Sequence, residues 1–106
     1  MQVDESQAGS SVDLAEGELL IVRLKENPST GYRWAVEQAG GLAWEDGGSG
    51  PAGVPGAAGI HEFRARADRV GRHDICLKHW RDWEGERGII ARYPLTLQVQ
   101  PMIRSE

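Results

Sequence analysis

Scarcity sets the first limits on this chain. Cys76 is the only cysteine in 106 residues, so no intrachain disulfide can brace the fold, and packing alone must hold it. The residue sits between Ile75 and Leu77 with no exposed base beside it, and it reads as a small buried hydrophobe rather than a reactive thiol. Positive charge is also short. The net charge is −4, the pI is near 5.4, and the arginines are interleaved with acids. That balance argues against nucleic acid or an anionic membrane as a partner, because both require a basic footprint. No apolar run approaches the ~20 residues of a membrane span. The opening Met1, Gln2, Val3, Asp4, Glu5 lacks the charged-then-apolar order of a signal peptide. A mature form with its signal removed would look the same, so the compartment stays open.

What the chain does have is period-two alternation, the mark of half-buried strands. Val12 and Leu14 alternate in a short first strand, and Ala15, Glu16 and Gly17 turn the chain into a longer run from Glu18 to Lys25. There Leu20, Val22 and Leu24 share a face. Tyr32, Trp34 and Val36 align in the next strand, and Leu42 with Trp44 forms another. Phe63, Ala65 and Ala67 share parity with His61, opposite a charged ladder of Glu62, Arg64, Arg66 and Asp68. Ile75 and Leu77 point inward between His73 and His79. The last strand carries Tyr93, Leu95, Leu97 and Val99, with Pro94 confining its start to an edge or bulge. About seven short strands, turns between them and no convincing helix predict an all-β chain, an immunoglobulin-like β-sandwich. Residues 1–10, rich in polar residues, are expected to form a loose tail, and residues 11–101 a single domain.

Three connections stand out. Asn27, Pro28, Ser29, Thr30, Gly31 and Tyr32 form a stiff loop or a simple turn: Pro28 fixes its own φ and moves Asn27 out of the helical region, while Gly31 can take a positive φ. The glycine-rich stretch from Asp46 to Gly59 has the composition of a flexible linker. It joins two strands of one small domain, where so long a structureless loop is uncommon unless it binds something. The third, from Trp80 to Ile90, sets Arg81, Asp82 and Trp83 among charges and a glycine, and Arg and Trp are common carriers of interface energy. Trp80 is expected in the core and Trp83 at the surface.

The first loop, with Trp34 two residues after Tyr32, resembles the signature loop of the chagasin family of cysteine-protease inhibitors. Gly56, Ala57, Ala58 and Gly59 resemble that family's second, glycine-rich loop, and Arg81, Asp82 and Trp83 its Arg-Pro-Trp loop, in the same order along the chain. Ala58 stands where a glycine is usual and Asp82 where a proline is usual. The resemblance implies the immunoglobulin-like fold and a reversible, monomeric inhibitor of papain-like cysteine proteases. It implies that the loops at 27–31, 56–59 and 81–84 occlude the cleft, with Thr30 and Gly31 nearest the catalytic Cys and His of the protease.

Competing chemistry is poorly supported by spacing. His73, Cys76 and His79 are residue types of a zinc site, but on a strand Cys76 faces away from the two histidines, and no fourth ligand is evident. Cys76 in mid-strand lacks what activates a nucleophile, and His61 reads as a strand-end polar residue rather than a catalytic base. No catalytic residue, metal or cofactor is expected. A second reading is an immunoglobulin-like module for a carbohydrate or a non-protease partner, with Trp34 and Trp44 exposed together as a flat platform.

Overall fold

The computed structural model describes residues 1–50 and 59–102. Eight strands follow one another: β1 (Gln2–Val3), β2 (Ser11–Ala15), β3 (Leu19–Glu26), β4 (Arg33–Gln38), β5 (Trp44–Gly50), β6 (Gly59–Arg66), β7 (Gly71–Trp80) and β8 (Ile89–Gln100). They form two four-stranded sheets, β1-β3-β6-β5 and β2-β8-β7-β4. Alternation puts Leu20, Val22 and Leu24 of β3 and Phe63 and Ala65 of β6 on the inner face of the first sheet. Ile75 and Leu77 of β7 and Tyr93, Leu95, Leu97 and Val99 of β8 face them from the second, and all are buried. This is the expected immunoglobulin-like sandwich, with a core made from one side of each strand.

Several particulars differ from the sequence reading. Residues 1–10 are not a loose tail: β1 pairs in parallel with β3 at Ile21 and Val22, and Val3 is buried. A two-residue strand is too short to show a period, which is why alternation does not reveal it. Glu5–Gln7 then forms a 3-10 turn capped by Asp4, and the Tyr93 hydroxyl donates to the Asp4 carbonyl at 2.6 Å. Leu42 is buried but precedes β5 rather than lying in it. Cys76 is half-buried on the outer side of β7 rather than in the core. Burial, and then the neighbouring Glu37 charge, pushes its thiol up, away from reactivity. Trp80 shares the outward parity of Cys76 and is half-buried, with the Lys78 ammonium 3.4 Å from its ring.

The registers bring the strand ends that flank the three connections of interest to one end of the sandwich. Glu26, the last residue of β3, pairs with Gly59, the first of β6. Arg33, the first of β4, pairs with Trp80, the last of β7, and Trp80 pairs in turn with Ile89 at the start of β8.

Candidate functional site

The first loop is held by its own polar groups. Asn27 Oδ1 accepts from the Ser29 amide at 3.1 Å and from Ser29 Oγ at 2.7 Å, an Asx-turn that local chemistry favours at this residue. The Thr30 amide and hydroxyl both donate to the Asn27 carbonyl, at 3.2 and 2.8 Å. Pro28–Thr30 therefore makes one 3-10 turn, and Gly31 leaves it with φ at +81°. Trp34 fastens the exit: its indole Nε1 donates to the Lys25 carbonyl at 3.0 Å, and its ring stacks on His79 with centroids 4.6 Å apart. Asn27, Ser29 and Thr30 are exposed, and Gly31 and Tyr32 are half-buried.

The third loop packs directly on the first. A Cβ at Gly31 would lie 2.6 Å from Cη2 of Trp83, so the indole covers bare backbone that any side chain would push away. Arg81 Nε and Nη2 donate to the Thr30 carbonyl at 3.2 and 3.1 Å, and Nη1 donates to Glu84 at 3.2 Å. Its guanidinium lies over the Tyr32 ring at 4.2 Å. The segment Asp82–Gly88 is two short 3-10 turns broken at Gly85 and closed by the Arg81 amide bonding to the Gly88 carbonyl. Asp82 is exposed and, at 69 %, Trp83 is the most exposed large hydrophobic residue among those described. A cleft of about 490 Å³ opens beside this contact, lined by Gly31, Arg33, Trp34, Ala35, Trp80, Asp82 and Trp83.

The second connection is described only at its ends. Gly56, Ala57 and Ala58 lie outside the described residues. Gly59 is not at a loop tip: it is buried in β6 opposite Glu26, because pairing with β3 continues to the end of that strand. Beside it lies an arrangement that sequence reasoning missed. His61 faces inward between two carboxylates, bonding Glu26 Oε2 through Nδ1 and Asp46 Oδ1 through Nε2, the latter at 2.5 Å. Burial pushes the Asp46 carboxyl up, but the hydrogen bonds from His61 and the Gly48 amide, with the charges of His61 and Arg33, outweigh it and hold Asp46 below the ordinary carboxylate range. The signal was present in the parity of Glu26 and His61, both of which alternate with core residues.

Trp34 is only 8 % exposed and belongs to the core, so it cannot form a flat platform with Trp44. Among the described residues there is no cluster of three or more His, Cys, Asp or Glu side chains able to hold a metal.

Residues 13–97 match the profile of the chagasin family peptidase inhibitors. The chain belongs to that family. Chagasin from Trypanosoma cruzi is 26% identical over 108 residues, covering 92% of this chain and 96% of that protein. The crystal structure of the cysteine protease inhibitor EhICP2 from Entamoeba histolytica superposes with a TM-score of 0.77 at 21% identity, covering 93% of each chain. PbICP-C, solved in complex with falcipain-2, superposes with a TM-score of 0.64 at 14% identity, covering 94% of this chain and 90% of that one. This member of the chagasin family is thus a peptidase inhibitor by family, built on the immunoglobulin-like sandwich described above.

Proposed function

We propose that this chagasin-family protein inhibits papain-like cysteine proteases by seating the loops at 27–31 and 81–84, with the glycine-rich connection beside them, across the active-site cleft. The carrying observation is the packing of exposed Trp83 on Gly31 while Arg81 clasps the Thr30 carbonyl. Two loops far apart in the sequence thereby become one projecting surface. Its parts are fixed before any partner arrives, so little ordering entropy opposes binding. A standard protease–inhibitor contact buries roughly 800 Å² per partner, within reach of a loop end of this kind. The solved complex of PbICP-C with falcipain-2 supports a protease as the partner.

In this reading, inhibition is reversible occlusion, and the chain makes or breaks no bond. Asn27, Pro28, Ser29, Thr30, Gly31, Tyr32, Arg81, Asp82 and Trp83 form the contacting set, together with Gly56, Ala57 and Ala58 of the second connection. Gly59 supports from within the sheet. The test is titration of the purified protein against papain, with a serine protease as control, following hydrolysis of a small fluorogenic substrate. Selective loss of papain activity that is regained on dilution is the expected result. Equal action on both enzymes, or none on papain at micromolar protein, would overturn the reading.

A further inference from the structure

We infer that Glu26, His61 and Asp46 form a hydrogen-bonded strut that sets the position of the inhibitory loops, with His61 as the positioning residue. The inference rests on the inhibitor reading above for its functional meaning but not for its structural content. The three side chains come from three strands and mark the roots of two loops. Glu26 closes β3 and is followed directly by Asn27, whose side chain and carbonyl organise the first loop. Asp46 lies in β5 and His61 in β6, on the two sides of the glycine-rich connection. The His61 ring bridges them, adding a side-chain link to the backbone ladders that join the three strands.

The chemistry makes the strut strong. Each ring nitrogen of His61 is hydrogen-bonded to a carboxyl oxygen, so the ring is held at both of its polar atoms. The side chains of Glu26 and His61 are 0% and 4% exposed, and that of Asp46 is 59% exposed. Glu26 Oε1 has no partner among the described residues, so the buried carboxylate relies on His61 for its compensation. Phe63 stacks on the imidazole with centroids 4.2 Å apart and fixes its plane. A buried polar network is weak evidence for stability but is well suited to specifying one geometry.

The test uses Asp46, because its side chain is largely exposed and its replacement leaves the buried Glu26 still bonded to His61. Asp46→Ala removes the acceptor, and Asp46→Asn keeps an oxygen in the same place. Amide hydrogen exchange is followed at Thr30 and Tyr32 in the first loop and at Ile75 and Leu77 in the core, alongside inhibition of papain. In Asp46→Ala the loop amides should exchange about tenfold faster and the inhibition constant should rise about tenfold, with the core amides unchanged. Asp46→Asn should recover most of both effects. Unchanged loop amides, or equal acceleration of loop and core, would overturn the proposal, as would loosened loop amides with an unchanged inhibition constant. If the unaltered protein fails to inhibit papain, the inhibitor reading falls, while the exchange comparison still decides whether the strut positions the loops.

Discussion

At the residue scale, Gly31 and Trp83 form one contact seen from two sides. Gly31 combines a positive φ, closed to most side chains, with an indole in the space where its Cβ would stand. Gly31→Ala should therefore cost about 1 kcal/mol in denaturant unfolding from backbone strain alone. Because Trp83 is displaced as well, the same substitution should weaken papain inhibition by more than the stability loss accounts for. Trp83→Ala separates the two effects. An exposed ring contributes little to folding, so its unfolding midpoint should correspond to a change within ~0.5 kcal/mol. An exposed tryptophan at the centre of an interface is an anchor, and its loss should raise the inhibition constant about thirtyfold, near 2 kcal/mol. If Trp83→Ala inhibited papain as well as the parent, the projecting surface would not be the one that binds. Trp83 as a surface residue was legible from its charged neighbours. The matching expectation that Trp80 lies in the core was wrong, because the parity of β7 turns that ring outward with Cys76 and Lys78.

At the scale of elements, the stiffness of the site comes from side chains that cross between loops. Arg81 bonds the Thr30 carbonyl with two nitrogens, bonds Glu84 with a third and covers Tyr32 with its plane. A lysine there keeps the charge and loses the planar fork, so Arg81→Lys is not conservative at this position. It should leave the thermal midpoint nearly unchanged, because these bonds are solvent-accessible. The inhibition constant should rise several-fold, on the order of 1 kcal/mol for loosened registry between the two loops. Equal potency in the lysine variant would show that charge alone suffices. Each loop's composition was readable in the chain, and so was the alternation of the long strands that carry them. The clasp was not, since no local pattern relates Arg81 to a carbonyl 51 positions earlier. The same holds for His61: its inward parity was visible, but its partners come from two other strands and become neighbours only through sheet register.

At the scale of the whole molecule, the N-terminal segment couples the two sheets without any disulfide. Val3 extends the first sheet beside Val22, and the backbone of residues 9–15 runs along β8 in the second. Between these attachments, the Tyr93 hydroxyl reaches from β8 to the Asp4 carbonyl. Burial of the ring, with the nearby charges of Asp4 and Glu5, pushes this phenol up from its ordinary value of 10 to about 12. The native protein therefore retains a proton that the unfolded chain releases above about pH 10. The stability tied to the neutral phenol is fully present below that pH and declines as the pH rises from about 10 towards about 12. Tyr93→Phe removes both the hydrogen bond and the titration. At pH 8 this variant should be less stable than the parent by about 1 kcal/mol, the usual loss when a buried hydrogen bond to a carbonyl is deleted. Urea unfolding repeated at intervals up to pH 11.5 should show the two proteins converging, because the parent alone loses the contribution of the neutral phenol. A gap that stays constant across that range would mean that Tyr93 ionises no less readily in the fold than in the unfolded chain. The link between the N-terminal segment and the second sheet would then rest on strand pairing alone.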